Sequence, residues 1–185
     1  MNSARFCLSK AIFAAILLCA SVIFCFSCSH KEKETAVEQE PDLTITQTDI
    51  MLLAEHKKTI DAITAKYDKK IAEVPPSAAY KLIEEGKGEI NGYLESKGLK
   101  PEVFMKKSKK ILKCYLALNE ISDETMQKRI ELLKQNDTSE KDIKIKTEAY
   151  KKAGEAFFQE MTAGLTKKEI DLVRSNLSII ASVTD

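Results

Sequence analysis

The chain has 185 residues, of which 44% are hydrophobic and 31% charged, and its formal net charge is +1. Arg5 and Lys10 are the only charged residues among the first 27, so the rest of the chain holds 27 of the 29 basic and all 28 acidic residues. This charge balance argues against a dedicated nucleic-acid-binding protein, and the composition is that of one small globular domain. A chain of this size needs no metal or disulfide framework to fold.

The first 27 residues have the layout of a secretory signal. Two positive charges in residues 1–10 precede an almost unbroken apolar run, AIFAAILLCASVIFCF, and the chain becomes polar from Ser27 onward. A positively charged n-region stays on the cytoplasmic side while the apolar segment enters the translocon, so we expect everything after it to be exported. After residue 27 the sequence contains no second apolar run long enough to span a bilayer.

A cysteine at the end of the apolar run lies in a lipidation context. In bacterial lipoproteins a small residue directly precedes the cysteine that is acylated, and Ser27-Cys28 meets that requirement, whereas bulky residues precede Cys19 and Cys25. The N-terminus therefore resembles that of a bacterial lipoprotein precursor cleaved between Ser27 and Cys28. Phe26 lies where the usual lipobox has a small residue, and such a relaxed lipobox is similar to those of spirochaetes.

The resemblance implies a protein attached by palmitate-type acyl chains on Cys28 to the inner or outer membrane of the cell envelope. The alternative is an uncleaved N-terminal anchor, because the apolar run is slightly long for a cleaved signal and slightly short for a transmembrane helix. Removal of the signal takes three of the five cysteines and acylation uses a fourth, so Cys114 remains. Its apolar helical surroundings predict a buried side chain, and no neighbouring base indicates a catalytic thiol.

Residues 28–47 are polar and rich in acidic side chains, and they predict a flexible tether that ends where a helical domain begins, over residues 48–185. Apolar residues then recur at helical spacing in six segments. Thr46 with Asp49, and Thr166 with Glu169, are capping-box pairs at the first and last of these. The other predicted signals are Ser77 as a cap, Gly98 and Gly164 as terminators, Pro101 in a first turn and Ser122 or Asp123 as a start. The sequence therefore predicts an all-α, compact bundle of about six amphipathic helices.

Three glycines interrupt the second predicted helix, where each costs about 1 kcal/mol relative to alanine. The three are Gly86, Gly88 and Gly92. Gly88 and Gly92 share a face, which predicts close packing of a neighbouring helix or a local kink, with surface glycines, a hinge or a ligand opening as alternatives. His56 could be combined with Glu55 and Asp61 as metal ligands, but a single histidine is a weak metal signal, so we expect a surface histidine and no metal or cofactor.

Two surfaces are candidates for binding. Lys106, Lys110 and Lys113 share a helical face that could meet anionic lipid headgroups, although a solvated helix face is the simpler interpretation. Phe157 and Phe158 are adjacent, so both cannot face one core, and one of them should line a pocket or a partner surface. Catalytic motifs are absent from the sequence, and we expect no enzymatic activity.

The sequence thus predicts a membrane-anchored envelope lipoprotein whose helical domain binds another protein of the envelope or of a host, or serves a structural role. The alternative is a carrier of a small amphiphile in a cavity between helices, lined by residues such as Phe104, Tyr115, Phe157, Phe158 and Met161. An exposed aromatic at position 157 would favour a partner, and one that lines a cavity would favour a ligand.

Overall fold

The computed structural model describes residues 41–136 and 138–184, and the part of the chain that it describes contains seven helices and no strands. This confirms the all-α bundle. The expected signal over residues 1–27, the processing site at Ser27 and Cys28, and most of the tether lie outside the described residues. The helices are α1 (Gln47–Ala72), α2 (Pro76–Ser96), α3 (Pro101–Glu120), α4 (Asp123–Gln135), α5 (Glu140–Met161), α6 (Lys167–Ser175) and α7 (Leu177–Thr184).

The helix starts follow the local capping chemistry of the sequence. Reciprocal hydrogen bonds join Thr46 to Asp49 at the start of α1 and Thr166 to Glu169 at the start of α6, which confirms both predicted capping boxes. The Ser122 hydroxyl accepts a hydrogen bond from a backbone N–H in the first turn of α4. Ser77 is not a cap, because α2 already begins at Pro76, whose fixed φ suits the first helical position.

The helix ends match the sequence in part. Gly98 and Gly164 have φ values of 74° and 80°, a left-handed conformation that glycine adopts without strain after a helix. The predicted last helix is instead two helices, because the chain breaks at Asn176. The Asn176 side-chain amide donates to the Leu172 carbonyl and pairs with the Gln47 amide of α1 in both directions. A side chain that bonds to the backbone in this way competes with helix continuation.

The core lies around α3, which contributes the largest share of its buried residues. The core cluster consists of Ile45, Ile50, Leu53, Ile111, Cys114, Tyr115, Leu118, Val173 and Ile180. These come from α1, α3, α6 and α7, together with the residues before α1. By contrast, α4 has no buried residue and α5 has only Gly154, so these two helices pack on the edge of the bundle.

Ile45 shows that the packed domain starts ahead of the boundary expected at residue 48. Its side chain lies in the core cluster, and its backbone N–H donates to the Glu169 carboxylate at 2.9 Å. Two residues earlier, the Leu43 carbonyl accepts a hydrogen bond from the Lys110 ammonium at 3.1 Å. The C-terminal end of the predicted tether, residues 43–46, is therefore held by hydrogen bonds to side chains of α3 and α6.

Close helix packing occurs at a different glycine from the two predicted. A Cβ atom at Gly86 would lie 3.1 Å from Cγ of Tyr67 on α1, whereas a Cβ atom at Gly88 or Gly92 would meet nothing within 4 Å. The prediction of a close approach at Gly88 and Gly92 was therefore wrong. Those two glycines face open space on α2, and Gly86 is the position where α1 and α2 come together.

We expect Gly92→Ala to raise the free energy of unfolding by about 1 kcal/mol, because alanine restores helix propensity and meets no neighbour. Gly86→Ala should lose that gain, since the Tyr67 ring must move while its hydroxyl donates to Glu89 at 3.0 Å. Urea denaturation of both variants measures the difference. Equal changes in the two unfolding midpoints would contradict the assignment of the close contact to Gly86.

Candidate functional site

The basic residues predicted on α3 have different surroundings. Lys106 forms an exposed ion pair with Glu102 one turn earlier, at 2.7 Å. Lys110 is half-buried and donates to the Leu43 carbonyl. Lys113 is half-buried, and no ion pair involves it within the described part of the chain. The structure thus gives Lys110 a structural contact and leaves Lys106 and Lys113 on the outer side of α3.

Large apolar side chains share that outer side. Met105 is 43% exposed and Leu116 is 53% exposed, although both lie on the helix that forms the centre of the core. Lys109 lies four residues after Met105 and four residues before Lys113, so it belongs to the same face. We call this surface the outer face of α3; it consists of Met105, Lys106, Lys109, Lys113 and Leu116. Lys106 and Lys113 were predicted on this face, whereas Met105 and Leu116 were not, although helical spacing opposite Ile111 and Leu118 could have indicated them.

The two phenylalanines of α5 point in different directions, as their adjacency predicts. Phe158 packs against the core cluster, whereas Phe157 is 36% exposed. Counting back from Phe157 by four residues each time gives Ala153, Ala149 and Ile145, all of them exposed. We call these four residues the apolar row of α5. An i, i+4 series lies along one side of a helix, so the row is continuous over three turns.

The aromatic residues considered as a cavity lining lie in or against the core. Phe104 and Tyr115 are buried, and the Phe104 ring stacks edge-on against His56 with ring centroids 6.1 Å apart. Because Phe157 is exposed and Phe158 packs against the core cluster, this arrangement favours a partner surface over a ligand cavity.

His56 was expected at the surface, and that expectation was wrong. The residue is 3% exposed, and its Nδ1 atom lies 3.0 Å from the Tyr93 hydroxyl of α2. The position follows from spacing, since residue 56 lies three residues after Leu53 and therefore on the core face of α1. Of the proposed metal partners, Glu55 is exposed and Asp61 forms an ion pair with Lys57. The described residues contain no group of three potential ligands that could hold a metal ion.

The carboxylate of Glu169 fastens the segment before α1 to the N-terminus of α6. One oxygen accepts from Ile45, and the other accepts from the backbone N–H and the hydroxyl of Thr166 at 2.8 and 2.7 Å. Burial raises the pKa of Glu169, but these hydrogen bonds and the nearby charge of Lys110 outweigh burial, and the net pKa lies below its ordinary value. The residue is therefore ionised at neutral pH although it is only 5% exposed.

Cys114 is buried in the core, which confirms the prediction for this residue. Burial raises the pKa of its thiol to about 11. A thiol with so high a pKa is almost entirely protonated at neutral pH, so its environment is that of a structural cysteine rather than a nucleophile.

Comparison with known proteins finds no family model, no curated protein and no solved structure that matches this chain. In addition, no helix of the described region is both long and apolar enough to cross a membrane. The features that bear on function are the signal-like N-terminus of the sequence and two surfaces, the outer face of α3 and the apolar row of α5.

Proposed function

We propose that the protein is an exported lipoprotein, anchored in the cell envelope by acyl chains on Cys28, and that its helical domain binds another protein. The first half of this proposal, the lipid anchor, rests on the positively charged segment, the apolar run and the Ser27-Cys28 pair of the sequence. The second half rests on the apolar row of α5. The proposed activity is non-enzymatic and involves no metal, cofactor or nucleic acid.

The exposure of Phe157 is the observation that carries the protein-binding role. Single exposed apolar residues are common on soluble proteins and need no explanation. The apolar row, however, extends from Ile145 to Phe157, which corresponds to about 18 Å of helix. Its ends are large and its middle is formed by Ala149 and Ala153, so a partner helix or groove can approach closely between two larger contacts. This is the pattern of helix-in-groove recognition, in which anchors recur at i and i+4.

Charged residues that flank the row keep this surface soluble while it is unoccupied. Lys144 and Lys152, each directly before a member of the row, are exposed on α5. Interfaces typically have an apolar centre and a polar rim, and the row with its charged borders has that organisation. The described structure leaves the row uncovered because α5 packs on α3 and α4 through another side, where a Cβ atom at Gly154 would lie 3.4 Å from the Ile121 side chain.

Anchoring is tested by replacing the acylated residue. We expect Cys28→Ala to abolish incorporation of labelled palmitate and to block cleavage, so that the protein accumulates as the precursor. Cys25→Ala is the matched control and should be acylated and cleaved normally. A Cys28→Ala protein that is still acylated and still cleaved would refute the processing site. An intact N-terminus on the wild-type protein would instead support the uncleaved anchor.

Protein binding is tested by a photo-activated crosslinker at position 157 of the full-length protein in intact envelopes. We expect a discrete crosslinked protein at position 157 and none at position 155, which is exposed on another side of α5. Mass spectrometry then identifies the partner, and a product of twice the chain mass identifies a second copy. Equal, diffuse labelling from both positions would show that the apolar row is not a binding surface.

A further inference from the structure

The outer face of α3 combines two features that favour contact with a lipid surface. Its three lysines can reach the phosphate groups of lipids, and its two exposed apolar side chains, Met105 and Leu116, can enter the region between headgroups and acyl chains. The acidic residue Glu102 forms an ion pair with Lys106 of this face, and the side chains of both residues are exposed. Such a pair contributes little energy, so Lys106 is free to exchange Glu102 for a phosphate.

The chain enters the domain beside the same helix. Leu43 is fixed to α3 through Lys110, one turn or less from Lys106, Lys109 and Lys113. Residues 29–40 separate Cys28 from the first described residue, Pro41. The sequence predicts a flexible tether there, and a tether of that length would have a root-mean-square reach of about 20 Å. The proposed lipid on Cys28 would therefore keep the entry side of α3 near the membrane, where the domain can come into contact with the headgroups.

We infer that the outer face of α3 docks onto anionic headgroups of the membrane in which the Cys28 lipid is inserted. This inference rests on the proposed lipid anchor and adds an orientation to it. With α3 against the lipid, the domain is held by two contacts, the acyl chains and the basic-apolar face. Because the anchor makes the second contact intramolecular, a weak interaction is sufficient to keep the domain docked.

A lipid surface fits this face better than an acidic protein for a geometric reason. Met105 and Leu116 lie at opposite ends of the lysine group, 11 residues and therefore about 16 Å apart. A planar interface accepts two separated apolar side chains with lysines between them, and it demands no shaped pocket for either. The apolar row of α5, in contrast, is narrow and has small residues at its centre, which suits a protein partner.

The test uses the natural absence of tryptophan from the chain. Leu116→Trp places one fluorophore on the outer face of α3, and Leu132→Trp is the control on α4, because Leu132 is similarly exposed at 57%. The full-length acylated proteins are reconstituted into vesicles of phosphatidylcholine, with or without phosphatidylglycerol. Brominated lipids in these vesicles quench tryptophan only where it reaches the acyl region. Flotation of the vesicles reports anchoring separately.

We expect quenching and a blue shift for Leu116→Trp on vesicles that contain phosphatidylglycerol, and neither effect for Leu132→Trp. Combined Lys106→Gln, Lys109→Gln and Lys113→Gln substitutions should lower the docked-to-free ratio about 100-fold, from roughly 1 kcal/mol per lysine. The matched control replaces Lys128, Lys134 and Lys151, which are exposed on α4 and α5, and should leave quenching unchanged. High salt should act like the α3 substitutions.

The outcomes separate the two proposals. Protein that floats with the vesicles but shows equal quenching at positions 116 and 132 would overturn docking while leaving the anchor intact. Quenching at position 116 that is the same without phosphatidylglycerol would overturn the role of the lysines. Acylated protein that does not float would overturn the anchor, and the docking inference would fall with it.

Discussion

Replacing Glu169 with alanine is expected to lower the free energy of unfolding by about 3 kcal/mol, because one buried carboxylate supports two parts of the chain. Loss of the capping box exposes the first turn of α6, which costs about 1 kcal/mol. Loss of the acceptor for Ile45 leaves a buried backbone N–H without its partner, which costs a further 1–3 kcal/mol or so.

The control for this substitution is Asp142→Ala. Asp142 occupies the corresponding position at the start of α5, where it bonds Ser139, but it is exposed and holds no distant segment. We expect a loss of about 1 kcal/mol or less there. Hydrogen exchange gives a residue-specific readout, since the Ile45 amide should lose protection in Glu169→Ala and keep it in Asp142→Ala. Equal destabilisation by the two substitutions would show that Glu169 is only a helix cap.

The same carboxylate gives the stability a defined pH dependence. The pKa of Glu169 is lower in the folded protein than its ordinary value of 4.5, so the unfolded chain binds a proton more readily. Its contribution to stability is therefore complete at pH values well above 4.5 and declines as the pH falls through and below that value. Wild-type protein should lose stability over this acid range faster than Glu169→Ala, in which the titrating group is missing.

Local signals in the sequence were sufficient for most helix boundaries. A serine or threonine followed three residues later by an acidic residue, as at Thr46 and Thr166, supplies both partners of a capping box within one turn. Gly98 and Gly164 likewise act through their own backbone conformation. Such signals need no knowledge of tertiary packing, and for that reason they could be interpreted from one sequence.

The features that the sequence did not indicate depend on contacts between distant residues. Ile45 is in the core because it meets Glu169, 124 positions later, and nothing near Ile45 in the sequence specifies that contact. The break at Asn176 depends in the same way on the Gln47 side chain of α1. His56 is different, since its spacing from Leu53 already placed it on the core face. The polar side chain of His56 suggested an exposed position, but its helical spacing from Leu53 determines its burial.

The candidate surfaces likewise combine features that local sequence specifies with features that depend on contacts between distant residues. Adjacent phenylalanines must diverge on any helix, so the sequence could predict that Phe157 and Phe158 have different environments. Which of the two is exposed depends on where α3 and α4 pack, and these helices approach α5 near Gly154, where a Cβ atom would lie 3.4 Å from Ile121. For the glycines of α2, likewise, composition indicated an unusual helix face, but only the position of Tyr67 identifies Gly86 as the contact.

Cys114 is expected to react with thiol reagents at least 100-fold more slowly in the folded protein than an exposed cysteine does. Its pKa of about 11 lies two units above the ordinary value of 9.0, so the thiolate fraction at neutral pH is about 100-fold lower. The side chain is also buried, and a reagent must wait for the core to open. The rate of reaction should therefore follow the opening of the domain, and destabilising variants such as Glu169→Ala should increase it.

The matched control is Leu116→Cys in a Cys114→Ser background, which moves the thiol two residues along α3 to an exposed position. Iodoacetamide should modify that variant rapidly in the native state, and urea should remove the difference between the two proteins. The proposed cleavage and acylation at Cys28 would leave Cys114 as the single thiol, so titration of the processed protein in urea should then count one thiol per chain. Rapid modification of native wild-type protein would contradict the burial of Cys114. Dimers linked by a disulfide would also contradict it, because a thiol in the core cluster with Ile111, Leu118 and Val173 cannot reach a second chain.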